Sequence, residues 1–284
     1  MSNRDGYFDA RIRPPFGEFL NLPRYNTKMK QGLVSYAVPP ASISERSMPA
    51  LFSEMDEVGI SRGLAMGRHT ATNAWIPNDT IASLRREHGD RFWTFGGVGE
   101  ATPLENLKET MRCIEEMNLD GIALDPGWLN PPLRVNDSAF YPVYAYCEAR
   151  GVPVSVSMSI NSGPDLSFCD PCTLQRVAMD FGNLRLVVSH ASWPMVTPML
   201  AVAAKLPNVW LIPDLYMNTP GLPGRTDLVE AGRHPILCKK IIFGTAYPSQ
   251  SLEASMSGFD EAGIPEPNRD AILRTNLLEF LGET

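Results

Sequence analysis

Two arginines near the start of the chain have the spacing of an anion-binding pair. Arg11 and Arg13 close the strand-like run Tyr7–Arg13, which stops at two consecutive prolines. Alternate side chains of a strand point to one face, so the two guanidiniums are predicted to project together. Such a pair could clamp a carboxylate or a phosphate. The structural alternative is that Asp9 or Asp125 neutralises the arginines, since like charges are costly to bury without an anion.

Polar side chains also follow the other strand-like runs. Asp125 and Asp214 are the acids placed to act as a general base, and His190 could move a proton or donate to an oxyanion. These three are the predicted catalytic residues. Structural alternatives stay open, because Asp125 could cap a turn or pair with an arginine, and His190 could simply bind backbone.

A second set of residues is predicted to contact the substrate. Ser157 suits a hydrogen-bond donor better than a nucleophile, because no base partner is evident for it. Aromatic side chains at strand ends could wall a flat organic substrate, although aromatics there also commonly only pack. With the two arginines, the predicted substrate-binding residues are Arg68, His69, Ser157, Trp128, Trp193 and Tyr247.

The alternation of strand-like and helical patterns indicates what positions these residues. Short apolar runs alternate with segments of helical period, as a parallel sheet buried on both faces requires. No Gly-x-Gly-x-x-Gly follows the first run, which disfavours a doubly wound dinucleotide fold. Eight repeats favour an α/β fold of the (β/α)8 TIM-barrel class, whose strand ends line the active site. The predicted strands are Tyr7–Arg13, Arg62–Gly67, Phe92–Val98, Gly121–Leu124, Val152–Val156, Leu184–Ser189, Val209–Ile212 and Lys240–Phe243.

The length and the connections fit the same architecture. The chain has 284 residues, close to the roughly 250 of one such barrel, so a single domain over residues 1–284 is predicted. The Pro-rich stretch Pro14–Arg46 is long for a plain connector and is predicted to be functional or a lid. Predicted helices include Pro103–Met117, Tyr141–Arg150 and Arg269–Leu281.

Composition limits the partners. With 44% hydrophobic and 20% charged residues and a net charge of −7, the chain is typical of globular proteins and has no basic stripe for nucleic acid. The first residues lack a secretory-signal pattern, and no apolar run is long enough for a membrane. Five scattered cysteines, with one lone Cys169-x-x-Cys172, favour a reduced cytoplasmic setting over a zinc site. A homo-oligomer is possible.

Several short motifs together resemble the amidohydrolase-related family. This is the branch that includes aminocarboxymuconate-semialdehyde decarboxylase and pyrone-dicarboxylate lactonase, and the motifs occur over nearly the whole chain in the expected order. The resemblance implies a TIM barrel. The motifs are Phe8-Asp9-x-x-x-x-Pro14, Asn78-Asp79, Asp90-Arg91-Phe92, Gly151-Val152-Pro153-Val154, Val188-Ser189-His190-Ala191, Phe243-Gly244-Thr245-Ala246-Tyr247-Pro248 and Asn276-Leu277.

The departures from this family concern its metal ligands. Metal-binding members use His-x-His after the first strand, His after the fifth, often His after the sixth, and Asp after the eighth. The resemblance puts Arg11, Arg13, Ser157, His190 and Ala246 at those positions. A catalytic zinc needs about three N, O or S ligands, and arginine stays protonated, so no metal and no cofactor are expected.

The resemblance also implies an activity. We expect a metal-independent, hydrolase-like enzyme acting on a small anionic, carboxylated organic acid, either a lactone or a related activated carbonyl. The arginine pair would bind the carboxylate or the developing oxyanion in the metal's place. The alternatives are a decarboxylase or hydratase of the same family, a non-catalytic anion-binding barrel, and an unorthodox metal site built from Asp125, His190 and Asp214.

Overall fold

A parallel sheet of seven strands forms the centre of the molecule. The structure is a computed structural model that describes residues 6–25, 39–70 and 74–283. In chain order the strands are β1 Tyr7–Asp9, β2 Ile60–Met66, β3 Arg68–His69, β4 Trp75–Ile76, β5 Phe92–Val98, β6 Gly121–Leu124, β7 Val154–Ser157, β8 Leu186–Ser189 and β9 Val209–Ile212. The central sheet has the order β1-β2-β5-β6-β7-β8-β9, and all its neighbours pair in parallel. Most of their residues are buried, because helices cover the outer face and side chains fill the inner one.

The predicted eighth strand, Lys240–Phe243, closes the barrel without forming a regular strand. Ile241 makes a single parallel bridge to Leu211. The Ile242 N–H donates to Leu211 O at 2.8 Å, and the Ala10 N–H donates to Phe243 O at 2.9 Å. The segment thus joins the last strand of the sheet to the first. It leaves the extended conformation by Ala246, where φ is 58°, so few ladder bonds can form.

The first strand is also shorter than predicted, since β1 ends at Asp9 and not at Arg13. The chain beyond it is still held on both sides. The Ile12 N–H donates to Leu64 O at 3.1 Å, and the Arg13 N–H donates to Tyr247 O at 3.0 Å. Both arginines therefore lie just past the end of β1, at the mouth where the barrel closes.

Helices follow most of the strands, as the periodicity predicts. The Ser47 hydroxyl caps the helix that precedes β2 by accepting from the Ala50 N–H at 3.2 Å. Two predicted helices are interrupted by π-helical turns, over Arg112–Glu116 and Ala271–Thr275. The helices are α1 Ala41–Ser44, α2 Met48–Glu57, α3 Asn78–His88, α4 Pro103–Met111, α5 Tyr141–Arg150, α6 Pro171–Asp180, α7 Val196–Lys205, α8 Leu215–Asn218, α9 Arg225–Arg233, α10 Leu252–Glu261, α11 Glu266–Asp270 and α12 Asn276–Leu281.

Two features at the mouth of the barrel were not predicted. A short antiparallel hairpin, β3 Arg68–His69 with β4 Trp75–Ile76, directly follows β2. The described part of Pro14–Arg46 contains two 3₁₀ turns, Gly17–Asn21 and Pro23–Tyr25, besides α1. Residues 26–38 of this stretch lie outside the described residues, and its role as a lid stays a prediction. Across the three described ranges, no helix combines the length and apolar character needed to cross a bilayer.

Candidate active site

The ends of β1, β7, β8 and β9 bring four predicted site residues into contact. Arg11 Nη2 lies 3.1 Å from His190 Nε2 and 3.5 Å from Ser157 Oγ. Arg11 Nε lies 3.5 Å from Asp214 Oδ2, and His190 Nδ1 lies 2.8 Å from the same oxygen. Arg11, His190 and Asp214 therefore form one cluster of contacting side chains.

The contacts of His190 define its tautomer. A guanidinium can only donate, so Nε2 must accept from Arg11 and the ring proton belongs on Nδ1, towards Asp214. Burial lowers the pKa of His190, and the positive charge of Arg11 adds to that effect, although Asp214 opposes both. His190 is thus a neutral imidazole whose basic nitrogen faces the arginines. The Nδ1 contact with Asp214 is short but not aligned as a normal hydrogen bond.

The backbone is strained where this cluster is built. His190, Ala191 and Ser192 have φ of 71°, 46° and 59°, and Asp214 has φ of 46° with ψ of −129°. Left-handed backbone is unfavourable for side chains other than glycine, and such strain concentrates at functional sites. It turns His190 inwards at the end of β8 and holds the fully buried Asp214 carboxylate behind it.

Asp125 has a different cation partner from the two that the sequence indicated. Its Oδ2 accepts from Arg68 Nε at 3.0 Å, and its Oδ1 lies 3.5 Å from Arg68 Nη2. Both side chains are nearly buried. Burial alone would raise the pKa of Asp125, but the charges of Arg68 and Arg11 outweigh it and hold the pKa below its usual value. Pairing with Arg11 or Arg13 is replaced by pairing with Arg68, because the hairpin after β2 carries Arg68 across the mouth.

Asp9 does not neutralise either guanidinium. Its Oδ1 accepts from the backbone N–H groups of Arg11 at 2.9 Å and Thr245 at 3.0 Å. Its Oδ2 accepts from the Thr245 hydroxyl at 2.6 Å, and that hydroxyl accepts from the Tyr247 N–H at 3.0 Å. Burial raises the pKa of Asp9 despite these donors. Asp9 is therefore a tie between β1 and the closing segment, and it positions the backbone of Arg11.

Several predicted substrate contacts are engaged with other partners. His69 Nδ1 lies 2.7 Å from Glu100 Oε1, and the ring stacks on Trp75 at 4.1 Å. Tyr247 is fully buried, and its hydroxyl lies 2.7 Å from Ser42 Oγ. The structure thus brings neither the His69 ring nor the Tyr247 hydroxyl into contact with Arg11, His190 or Asp214.

The predicted tryptophans differ in position. Trp193 stacks on Tyr216 with ring centroids 4.8 Å apart, and Tyr216 in turn meets His190 edge-on at 5.7 Å. Trp193 therefore extends an aromatic wall that begins beside His190. Trp128 ends the 3₁₀ turn Pro126–Trp128, three residues after Asp125, and is half-buried.

Sequence reasoning missed the role of Thr245, whose hydroxyl connects Asp9 to Tyr247. The sequence identifies Thr245 only as part of a family motif. A hydroxyl residue directly after the closing segment, opposite a buried Asp on β1, is the signal that could have identified it.

A small cavity lies between the arginines and the acid. Its volume is about 20 Å³, which suffices for about one water molecule. Arg11, Arg13, Arg68, Asp125 and Ser157 supply its polar lining. A small polar group therefore fits among the three guanidiniums.

The same geometry shows whether the site could hold the metal ion that metal-binding members of the family use. Within the described ranges, no group of three or more His, Cys, Asp or Glu side chains could hold a metal ion. The Arg11 guanidinium itself occupies the space beside His190 Nε2, the nitrogen that faces the cluster. The donor set does not fit a metal at this position.

Comparison with known proteins extends the resemblance. No curated protein matches the chain. An uncharacterised TIM-barrel protein from Bordetella bronchiseptica is 32% identical, covers 98% of both chains and has a TM-score of 0.89. A 2,6-dihydroxybenzoate decarboxylase from Rhizobium is 16% identical over 98% of this chain and 99% of its own, with a TM-score of 0.71.

A third similar structure, a 4-oxalomesaconate hydratase from Rhodopseudomonas palustris, is 12% identical over 97% of this chain and 95% of its own, with a TM-score of 0.65. At these low identities, the decarboxylase and the hydratase support the fold alone. A family model described as amidohydrolase matches residues 40–282. The chain therefore belongs to the amidohydrolase family, as a divergent TIM-barrel member with no metal-binding group among its described residues.

Proposed function

We propose that this protein is a metal-independent hydrolase that opens a lactone, or cleaves a related activated carbonyl, in a small carboxylated acid. The observation that carries this proposal is the contact of 3.1 Å between Arg11 Nη2 and His190 Nε2. It puts a permanent cation beside a neutral base, and acyl transfer to water needs both groups.

Arg11 would stabilise the charge that develops on the carbonyl oxygen. A fixed guanidinium in a mostly buried site acts on an oxyanion without reorganisation, so its effect is larger there than in bulk water. Ser157, whose hydroxyl lies 3.5 Å from Arg11, would add a hydrogen bond to the same oxygen. The charge of Arg11 would thereby do what a Lewis-acidic metal does elsewhere in the family.

His190 would be the general base, and Asp214 would position it. Oxyanion formation draws the Arg11 N–H groups to the substrate and frees Nε2 to take a proton from the attacking water. The water oxygen then bonds to the carbonyl carbon, the ring C–O bond breaks, and the leaving oxygen takes the proton back from His190. Asp214 is fully buried and cannot reach a substrate, while Asp125 stays ionised in its pair with Arg68.

The test is a panel of carboxylated lactones assayed with chelator present. We expect ring opening by the wild type, and a fall of kcat by about 10²–10³-fold in Arg11→Met. Arg86→Met is the control, because Arg86 is exposed, and circular dichroism checks the folding of both variants. Full activity in a folded Arg11→Met variant, or activity that needs added metal, contradicts the proposal.

Product analysis separates hydrolysis from the lyase alternatives. Release of CO2 would indicate a decarboxylase, and addition of water to a double bond would indicate a hydratase. Binding without turnover across the panel would indicate an anion-binding barrel without catalytic activity.

A further inference from the structure

The two arginines that open the sequence have different surroundings. Arg11 contacts His190, Ser157 and Asp214. The Arg13 guanidinium has one long contact, from Nη1 to the Ala246 carbonyl oxygen at 3.5 Å. No carboxylate in the described ranges lies within ion-pair distance of Arg13.

The ion pairs around the cavity include Arg11 and Arg68 but not Arg13. Arg68 pairs with Asp125 at 3.0 Å, and Arg11 lies 3.5 Å from Asp214. Burial, together with the neighbouring charges of Arg11 and Arg68, lowers the pKa of Arg13 well below its ordinary value. Arginine nevertheless keeps its proton in proteins, so the half-buried guanidinium of Arg13 is a cation that an external anion can neutralise.

The cavity next to Arg13 has room for about one water-sized group, such as one oxygen of a carboxylate. Arg13 lines the small cavity together with Arg11, Arg68 and Ser157. Its contact with Ala246 uses one N–H group, which leaves the rest of its planar fork for a carboxylate. Ala246, which has φ of 58°, offers Arg13 only its backbone carbonyl oxygen. That oxygen is uncharged and does not neutralise the guanidinium.

We propose that Arg13 is the specificity-determining residue, which binds a carboxylate of the substrate as a planar ion pair, while Arg11 stays with His190 at the reacting carbonyl. The assignment of the reacting carbonyl rests on the proposed function, and the carboxylate site does not. The substrate class is then an acid whose bound carboxylate and reacting carbonyl are two separate groups.

The experiment measures melting temperature against benzoate and its neutral analogue benzamide, at constant ionic strength. The proteins are the wild type, Arg13→Met and the exposed control Arg86→Met. A ligand that binds only the folded state raises the melting temperature. We expect benzoate to raise it in the wild type and in Arg86→Met, with at least tenfold weaker apparent affinity in Arg13→Met, and benzamide to have little effect on any of them.

A second measurement does not depend on a ligand. Without benzoate, Arg13→Met should melt no lower than the wild type, because it removes an unpaired charge. Arg68→Met should melt lower, because it leaves the buried Asp125 without its partner. Arg13→Lys keeps the charge but loses the planar fork, and benzoate should bind it severalfold more weakly.

Three results would overturn the assignment: no response of the wild type to benzoate, an equal response to benzamide, or unchanged benzoate affinity in Arg13→Lys and Arg13→Met. Failure of this inference is distinguishable from failure of the proposed function. If lactones are opened with unchanged KM in Arg13→Met, only the carboxylate site is wrong. If benzoate binding depends on Arg13 but no lactone is opened, only the proposed hydrolysis is wrong.

Discussion

At the scale of single residues, the site is a set of charges arranged around one neutral imidazole. Arg11 and Asp214 act on opposite nitrogens of His190, at 3.1 Å and 2.8 Å. Burial and Arg11 disfavour the protonated ring, while Asp214 favours it. The balance leaves the pKa of His190 below its ordinary value, so the ring is available as a base at neutral pH.

The lowered pKa of His190 should determine how activity depends on pH. Since the pKa of His190 is lowered from 6.5, the acid limb of kcat/KM should lie below pH 6.5, with activity lost as the pH falls through the lowered pKa. Asp214→Asn removes the charge that favours the imidazolium, so the limb should move to lower pH as kcat falls. The measurement is a pH profile of both proteins on the substrate identified in the panel. A limb that stays in place in Asp214→Asn would show that His190 is not the titrating base.

The lowered pKa of His190 should also make the free energy of unfolding depend on pH. The unfolded chain binds a proton to His190 at a higher pH than the folded chain does, so this residue should lower the free energy of unfolding as the pH falls below 6.5. His190→Gln should flatten that part of the dependence, measured by urea unfolding at several pH values. An unchanged slope in His190→Gln would contradict the buried, neutral state of the ring.

At the scale of elements, the site depends on how the barrel closes. Asp9 on β1 and Thr245 after the last strand are joined by two hydrogen bonds, of 3.0 Å and 2.6 Å, across the seam. The seam otherwise has few ladder bonds, because the closing segment is not a regular strand. One buried carboxylate therefore substitutes for part of a strand pairing, and it holds Arg11 in register with the mouth.

Substituting Thr245 tests this tie. Thr245→Val removes the hydroxyl that donates to Asp9 and accepts from Tyr247, which should lower the free energy of unfolding by about 1–3 kcal/mol. Thr245→Ser keeps the hydroxyl and is the matched control, and urea unfolding measures both. If Thr245→Ser proves as unstable as Thr245→Val, the loss of stability comes from packing and not from the hydrogen bonds of the hydroxyl to Asp9 and Tyr247.

Sequence patterns predict the bounds of strands and helices well, but they predict the contacts between these elements poorly. Three strands and one helix have the predicted bounds, because apolar runs and a regular helical period are local signals. They are Phe92–Val98, Gly121–Leu124, Val209–Ile212 and Tyr141–Arg150. The paired strands β3 and β4 have only two residues each, too few for a periodic pattern. The pairing of Arg68 with Asp125 follows from that hairpin, so it could not be read from the sequence.

At the scale of the whole molecule, the family barrel is kept while its metal chemistry is not supported. The fold matches relatives over nearly the entire chain. The sequence resemblance, however, puts two arginines, one serine and one alanine beside His190 at the family's ligand positions. A barrel tolerates this change because its strands and helices are stabilised by their buried apolar faces, and the strand ends vary independently of them.

The last prediction is that the protein neither holds nor needs a metal ion. Elemental analysis of purified protein should find zinc and manganese far below one atom per chain, and dialysis against a chelator should leave the melting temperature unchanged. The matched control is the triple variant Arg11→His, Arg13→His and Ala246→Asp, which adds three ligand side chains around His190. Metal taken up by the folded triple variant and not by the wild type would show that these substitutions exclude the ion. A stoichiometric metal in the wild type would contradict the arginine-centred site, because a metal cation beside Arg11 and Arg13 would have to displace the guanidiniums from their contacts with His190 and Ala246.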